Sequence, residues 1–152
     1  MLNVFKEDVN FKKVCCDCRQ LPFYSGVFDL VISIAVTHHL SSDQDVAEAT
    51  KEMIRVTRKG GKIIIWDANH LNPYWLFLFK RIPYDEGVES PVKLNKIIFE
   101  AERNNVSGMK VIKSGWIPDF APKIIMPFFQ LAEYILEKIP VVNLFSAHNI
   151  VI

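Results

Sequence analysis

Two adjacent histidines are the residues of this sequence best suited to proton-transfer chemistry. His38 and His39 follow an almost continuously apolar run at positions 28–36, with only Thr37 between. Because histidine titrates near pH 7, either side chain could act as a general base or as a hydrogen-bond donor toward a bound acceptor molecule. In the more common alternative, one histidine hydrogen-bonds the junction between a strand and a helix, and the other is solvated. The sequence leaves both interpretations open.

Three cysteines cluster near the start of the chain, at positions 15, 16 and 18. The sequence contains no others, so a disulfide framework is excluded by number alone. A zinc site would need ligands that converge from at least two places, and the CxxC spacing typical of such sites is missing. We therefore predict no metal site. Residues 14–18 are instead predicted to form a buried strand, in which cysteine packs as a small hydrophobe.

Composition indicates one domain without a strong electrostatic field. The 152 residues, half of them hydrophobic, suffice for one core, so residues 1–152 are predicted to form a single domain. Lysine and arginine number 18 against 17 aspartates and glutamates, so the net charge of +1 gives polyanions no general attraction, and DNA is not an expected partner. Lys6, Glu7 and Asp8 interrupt the opening stretch, which argues against a secretory signal and favours a cytoplasmic location.

The predicted elements alternate between strand and helix, which favours an α/β sheet. The apolar run at 28–36 is typical of a central strand that is covered on both faces in a parallel sheet. Ser41 and Gln44 have the spacing of a capping box, and the helix that follows is predicted to end at Gly60, which supplies a left-handed stop. Residues 61–68 form a second buried strand, reached through a right-handed crossover.

The second half of the chain is predicted to begin with a loop containing a short helical piece, at 69–87. The elements after it are a helix capped by Ser90 and Pro91 that runs to about Asn104, a strand at 109–115, an amphipathic helix from Phe128 to Ile139 that ends before Pro140, and a strand at 148–152. Charged residues and two prolines interrupt the apolar stretch at 124–145, so we predict no transmembrane span.

Three segments in sequence order carry a resemblance to a known family. They read CDCRQLPFYSGVFDLVIS, AVTHHL and EMIRVTRKGGKIII and begin at residues 16, 35 and 52. Together they are similar to consecutive signatures of class I S-adenosylmethionine-dependent methyltransferases, of the small-molecule "methyltransferase type 11" kind. In that family a strand ends in an aspartate followed by "LPF", the next strand begins "FD", and a helix ends in an arginine-valine pair before a double glycine. The matching positions are Asp17, 21–23, 28–29, 55–56 and 60–61.

The resemblance implies an α/β, Rossmann-like sheet with the family strand order 3-2-1-4-5-7-6. Residues 14–18 would be its strand 3, and strands 4, 5, 6 and 7 would lie near Leu30, Ile64, Val111 and Ile150. Strands 1 and 2 and the glycine-rich turn after strand 1 would be absent, because no GxGxxG occurs among the six glycines. We therefore expect an amino-terminally truncated domain in which S-adenosylmethionine binding is weak or absent.

The same resemblance assigns residues at the carboxyl ends of the strands, where open α/β sheets bind ligands. The cofactor-binding set is Asp17, Cys18, Ser33, Ile34 and Ala35, and the substrate-side set is Asp67, Asn69 and His70. Asp17 would accept a hydrogen bond from the adenine amino group, with the Cys18 backbone beside it, and the backbone at 33–35 would line the methionine arm. In the alternative interpretation, Asp17 only caps the turn before residues 21–22.

Three functions stay open at this stage. The first is methyl transfer to a small molecule, where the aromatic segment at 75–79 would be either a lid over a hydrophobic acceptor or ordinary cover for the sheet. The second is a non-catalytic remnant or partner subunit that self-associates, or binds another protein, through an exposed edge of strand 4. The third is a transfer-RNA methyltransferase, because ISIAV followed by two histidines is also similar to that subgroup, although the near-zero net charge argues against it.

Overall fold

A four-stranded mixed sheet forms the centre of the molecule. The computed structural model describes residues 12–73, 75, 94–116, 122 and 126–152. The strands within them are β1 (Phe28–Ile34), β2 (Thr57–Ala68), β3 (Val111–Ser114) and β4 (His148–Val151). Their spatial order is β1-β2-β4-β3, with β1 parallel to β2 and β4 antiparallel to both of its neighbours. This is the order predicted for strands 4, 5, 7 and 6, and the predicted α/β fold is confirmed.

Helices and one short turn connect these strands in the described part of the chain. They are a 3-10 turn (Thr37–His39), α1 (Asp43–Val56), α2 (Leu94–Arg103), α3 (Met126–Glu137) and α4 (Pro140–Asn143). The predicted amphipathic helix before Pro140 is confirmed as α3, and the last strand as β4. The predicted caps at Ser90 and Pro91 lie outside the described residues, as does most of the loop predicted at 69–87. No helix in the described part of the chain is long and apolar enough to cross a membrane.

The boundaries of α1 differ from the prediction at both ends. Ser42, not Ser41, is the N-cap: its hydroxyl oxygen accepts from the N–H of Asp45 (3.1 Å) and the hydroxyl donates to the Asp45 carboxylate (2.7 Å). This reciprocal pair takes the role predicted for Gln44. At the other end, Thr57 adopts an extended conformation and begins β2 at once. Gly60 does have a positive φ of 78°, but it lies inside β2 and does not end the helix.

The hydrophobic core lies between the sheet and the two helices packed on one of its faces. Val46 and Met53 of α1 form a single buried cluster with Ile65 of β2, Ile97 of α2 and Val151 of β4. Burying a side chain of this size stabilises the fold by about 1.5–3 kcal/mol. Because the cluster joins β2 to β4 through Ile65, it fixes the carboxyl end of β2, where the candidate site begins.

Strand β1 is neither central in the described sheet nor covered on both faces, so that prediction was wrong. It pairs only with β2 among the described strands. Ser33 is buried, whereas Leu30, Ile32 and Ile34 are 47%, 53% and 57% exposed. Helix α1 therefore covers one face of β1. The alternating side chains of the other face contact solvent, because side chains of a strand point to opposite faces in turn.

Residues 14–18 do not form the predicted buried strand. They are irregular, with Val14, Cys15 and Cys16 exposed and Cys18 half-buried. A strand needs a neighbour to accept and donate its backbone hydrogen bonds. In the predicted order this segment would pair with strand 2, and the described residues place no strand beyond β1.

Candidate active site

The chain leaves the sheet abruptly after β1. Ala35 has a φ of 52°, a left-handed conformation that costs a residue with a side chain about 1–2 kcal/mol. Its N–H donates to the carbonyl of Trp66 on β2 (2.9 Å), which keeps the turn attached to the sheet. Ser33 is buried here, while Ile34 and Ala35 are exposed at the carboxyl end of the strand. The sharp turn brings the Thr37–His39 segment to the end of β2.

A buried carboxylate at the end of β2 organises this segment. Asp67 is 4% exposed, and its oxygens accept hydrogen bonds from the Thr37 N–H (2.7 Å), the Thr37 hydroxyl and the Ala68 N–H (2.8 Å). The same carboxylate contacts Nδ1 of His38 at 2.5 Å. The structure therefore brings together a predicted catalytic residue, a predicted substrate-side residue and Thr37, to which the sequence had assigned no role.

The ionisation of Asp67 decides which nitrogen of His38 carries a proton. Burial raises the pKa of Asp67, but the hydrogen bonds from His38 and Thr37 outweigh it and lower the pKa below the ordinary 3.8. An ionised carboxylate only accepts hydrogen bonds, so Nδ1 of His38 must be the donor. Nε2 is then the nitrogen with which His38 could exchange a proton with a reactant. A carboxylate that orients an imidazole in this way also stabilises its protonated form.

The second predicted histidine lies beside the first. The rings of His38 and His39 are 4.2 Å apart between centroids and tilted by 37°. His38 is half-buried against Asp67, whereas His39 is exposed. Of the two, only His38 contacts the buried carboxylate, which makes it the better oriented candidate for proton transfer.

Asn69 and His70, the other predicted substrate-side residues, lie differently from Asp67. Asn69 is fully buried, and its amide nitrogen donates to the carbonyls of Leu144 and Ser146, both at 2.8 Å. It also accepts from the side-chain amide of Asn149 (3.3 Å). These contacts tie the end of β2 to the turn before β4, so the structure gives Asn69 an architectural role. His70, the next residue, is half-buried.

The predicted adenine-binding residue is held by a surface ion pair. Asp17 is exposed, and the guanidinium of Arg19 contacts it at 2.7 Å while also reaching Asp45 at 2.6 Å. The hydrogen bond from Arg19 lowers the pKa of Asp17 to about 2. The Asp17 carboxylate also accepts from the Arg19 N–H (2.8 Å), which is the turn-capping role of the alternative interpretation. Burial raises the pKa of the neighbouring Cys18 thiol. The adenine role of Asp17 stays a prediction.

The described residues offer no metal centre. No group of three or more histidine, cysteine, aspartate or glutamate side chains is arranged to hold an ion within residues 12–73, 75, 94–116, 122 and 126–152. The prediction that the chain has no metal site rests on the cysteine spacing, and it stays a prediction.

Comparison with known proteins places these motifs in a family. The sequence at 1–65 matches the family model described as "Methyltransferase domain". Two solved structures extend the likeness over most of the chain at the level of fold. An S-adenosylmethionine-dependent methyltransferase from Archaeoglobus fulgidus is 14% identical with a TM-score of 0.64. The match covers 93% of this chain and 66% of that protein. A second one, from Thermotoga maritima, is described as a possible histamine N-methyltransferase. It is 14% identical with a TM-score of 0.58, and the match covers 70% of this chain and 51% of that protein.

The chain is also similar to curated relatives whose names refer to tRNA. The tRNA (carboxymethyluridine(34)-5-O)-methyltransferase alkbh8 of Xenopus tropicalis is 45% identical over 56 residues, which are 37% of this chain. "Probable tRNA methyltransferase 9B" of Homo sapiens is 47% identical over 51 residues, 34% of the chain. The tRNA (carboxymethyluridine(34)-5-O)-methyltransferase of Arabidopsis thaliana is 41% identical over 54 residues, also 34%. The matched segment spans only 9%, 11% and 13% of these three proteins.

Two of the motifs that carry the family resemblance contact each other directly. The Arg55 guanidinium donates to the carbonyls of Phe23 (2.8 Å) and Leu21 (3.0 Å), so the arginine of the arginine-valine pair clips the "LPF" segment to α1. Glu52 completes the clip by accepting from the N–H of Leu21 (2.8 Å) and from Arg55 (2.7 Å). The hydrogen bond from Arg55 lowers the pKa of Glu52. Glu52 was not among the predicted residues, although its helical i, i+3 spacing from Arg55 is a readable signal.

Proposed function

We propose that the chain carries the acceptor side of an S-adenosylmethionine-dependent methyltransferase that acts on tRNA. The observation that carries this proposal is the Asp67-oriented His38 at the carboxyl ends of two parallel strands, in a chain whose first 65 residues match the family model described as "Methyltransferase domain". The tRNA acceptor is supported by the names of the relatives, which are 41–47% identical over 51–56 residues. A small-molecule acceptor, the first alternative from the sequence, has no comparable support.

The described residues fit part of the cofactor. S-adenosylmethionine supplies an activated methyl group, and the protein has to align that group with the acceptor. Ile34 and Ala35 are exposed where β1 ends, so the backbone at 33–35 is open to the methionine arm. Asp17 remains an ionised acceptor that could take a hydrogen bond from the adenine amino group. The sequence has no GxGxxG to hold the rest, and charge-assisted hydrogen bonds contribute about 1.5–3 kcal/mol each. We therefore propose weak cofactor binding by this chain.

The role proposed for His38 depends on the acceptor atom. For an acceptor that carries a proton, such as a hydroxyl or a ring N–H, His38 would remove that proton through Nε2, with Asp67 stabilising the imidazolium. The relatives' names specify a carboxymethyluridine, whose carboxylate is ionised at neutral pH and has no proton to lose. For such an acceptor, protonated His38 would instead hold the carboxylate in place. The two roles predict opposite pH profiles: activity rises with pH for a base and falls with pH for a cationic clamp.

Methyl transfer from tritiated S-adenosylmethionine to unfractionated tRNA tests the proposal. We expect incorporation into tRNA at a cofactor concentration of about 1 mM. That concentration half-saturates a site with a binding free energy of roughly 4 kcal/mol. The H38Q substitution should lower the rate about 10- to 100-fold, as expected for losing either a general base or a charge-assisted hydrogen bond to a carboxylate. The matched control is Glu48→Gln, which changes an exposed carboxylate on α1. Absence of incorporation, or equal rates in H38Q and the control, would contradict the proposal.

A second candidate function is favoured by the bare face of β1. Leu30, Ile32, Ile34 and Trp66 are between 41% and 57% exposed on neighbouring strands, next to a strand edge that no described strand pairs with. Exposed apolar strand edges promote pairing with another chain. On this account the chain is a subunit that self-associates or binds a partner protein. Light scattering of the purified chain should then report an oligomer, and a monodisperse monomer would count against this candidate.

A further inference from the structure

A groove lies at the opposite end of the sheet from Asp67. It has a volume of about 860 Å³ and runs between the amino-terminal half of β2, the carboxyl end of α2 and the residues that precede β3. Ile63, Ile65, Ile97 and Val151 form its apolar floor. Its rim is different in character, because it is built from lysines and from glycine-containing turns. We call this surface the basic groove, with Lys59, Lys62 and Lys110 as its rim.

The lysines of the rim carry positive charge that no described residue neutralises by an ion pair. Lys59, Lys62 and Lys110 are exposed, and none of them forms an ion pair with another described residue. Arg58 also lines the groove, but it is paired with Asp29. Among the described residues that line the groove, none is an aspartate or a glutamate. The groove therefore concentrates a positive field that the net charge of +1 conceals.

The spacing of the lysines fits a chain of anions better than a single one. Lys110 pairs with Ile152 through two backbone hydrogen bonds (2.8 and 2.9 Å), which places it two strand positions away from β2. Two strand spacings put about 10 Å between the backbones of Lys62 and Lys110, so the rim spreads its positive charges along a surface. On β2 itself, Lys62 precedes Asp67 by five positions, about 17 Å of extended chain. A ligand that reaches both the groove and the candidate active site must therefore be long, and repeated negative charges along it would match the rim.

We propose that the basic groove binds the phosphate backbone of the RNA whose modified base lies at the carboxyl ends of β1 and β2. The proposal rests on the proposed function for the identity of the RNA as tRNA. Lysine side chains contact phosphates without reading sequence, so the groove contributes affinity and orientation, and base recognition belongs to the other end of the sheet. Such contacts release counterions, and binding through them weakens steeply with salt.

Binding of fluorescently labelled, unfractionated tRNA to the full chain, followed by anisotropy at several salt concentrations, tests this inference. Replacing Lys59, Lys62 and Lys110 with alanine should weaken binding about 10-fold or more at low salt, and reduce the slope of log affinity against log salt by about 2 to 3. The matched control replaces Lys12, Lys51 and Lys138 with alanine, which removes the same charge from residues that do not line the groove. It should weaken binding less than about 3-fold.

The outcomes separate this inference from the proposed function. The inference is wrong if the groove variant and the control lose tRNA affinity equally. It is also wrong if the unaltered chain does not bind tRNA, which is the result expected for a groove that holds an acidic protein. A variant with arginine at the three rim positions should retain binding, because the charge is kept; a loss like that of the alanine variant would also overturn it. Groove-dependent binding without methyl incorporation would contradict the proposed function alone. Incorporation that is insensitive to the groove variant would contradict the inference alone.

Discussion

Two carboxylates of the candidate cofactor and substrate regions have lowered pKa values for different physical reasons. Asp17 is exposed, and a single guanidinium, that of Arg19, lowers its pKa to about 2. Asp67 is buried, and its pKa falls only because hydrogen bonds from His38 and Thr37 overcome the cost of desolvation. The pKa is therefore lowered at both residues, but Asp17 lies on a loosely held surface segment and Asp67 lies in a fixed, preorganised junction.

The difference teaches where this chain can hold a reactant in place. Exposed ion pairs contribute little and are screened by salt, whereas a buried hydrogen-bonded carboxylate constrains every donor around it. The junction of β1 and β2 is built in the second way, and the segment around Asp17 in the first. Orientation of a reacting group is therefore expected at His38, and adaptable contact at Asp17.

The largest effect is expected from removing the buried carboxylate. Asp67→Ala leaves Thr37 and His38 without their acceptor, and breaking a buried charged network of this kind costs about 3 kcal/mol. Urea denaturation should show that loss of unfolding free energy. The exposed control Asp29→Ala should change it by less than about 1 kcal/mol. A cost for Asp67→Ala as small as that of the control would remove the distinction between the two regions.

Acid titration of stability gives the next effect. Because the folded pKa of Asp67 lies below its ordinary value of 3.8, the ionised side chain stabilises the fold above about pH 4, and this contribution is lost as the pH falls through the folded pKa. Asp67→Asn should flatten the stability curve in that acidic window. The measurement belongs at about 0.5 M NaCl, where the exposed Asp17 pair is screened. Identical acid profiles for Asp67→Asn and the unaltered chain would show that Asp67 is not the group responsible.

The strained turn at the end of β1 should show a smaller effect. Ala35→Val places a β-branched residue at a φ of 52°, which should cost about 1–3 kcal/mol of unfolding free energy. Ala35→Gly is the matched control, because glycine adopts this conformation without strain. Thermal melts of the two variants compare them directly, and a valine variant as stable as the glycine variant would contradict the left-handed turn.

The smallest effect is expected at the surface pair. Asp17→Asn should lower the melting temperature slightly at low salt and leave it unchanged at about 0.5 M NaCl, because the interaction with Arg19 is exposed. Asp43→Asn, which removes the exposed partner of Lys96, is the comparison for a pair elsewhere on the surface. A salt-independent loss for Asp17→Asn would mean that this segment is held as firmly as the junction at Asp67.

Sequence reasoning recovered the order of the sheet because that order depends on motifs and hydrophobic runs. The positions predicted for strands 4 to 7, near Leu30, Ile64, Val111 and Ile150, all lie in strands of the structure. It failed at residues 14–18, where the apolar composition is typical of a strand but the described sheet supplies no partner. Strand formation depends on a neighbour that a local pattern does not reveal.

The residues of the candidate site were identified from the sequence, but their contacts were not. His38 and Asp67 were both identified, but as members of separate sets, because side-chain contacts between two strand ends are not visible in either segment alone. The pairing of β1 with β2 makes them neighbours, and the left-handed Ala35 turns Thr37 toward the carboxylate. Asn69 is predicted on the substrate side from its position at the end of a strand, and the structure buries it in contacts with the turn before β4, which a local pattern does not reveal.

Nuclear magnetic resonance titration of the full chain with S-adenosylhomocysteine tests the central claim most directly, because chemical shifts locate even weak binding. The claim is that the carboxyl ends of β1 and β2 form the methyl-transfer site. The ligand is added up to about 5 mM, well above the dissociation constant that a binding free energy of roughly 4 kcal/mol gives. We expect chemical-shift changes at the amides of Ala35, His38 and Asp67. The amides of Lys59 and Lys62 should be unchanged. Shifts confined to the basic groove, or no shifts at all, would contradict it.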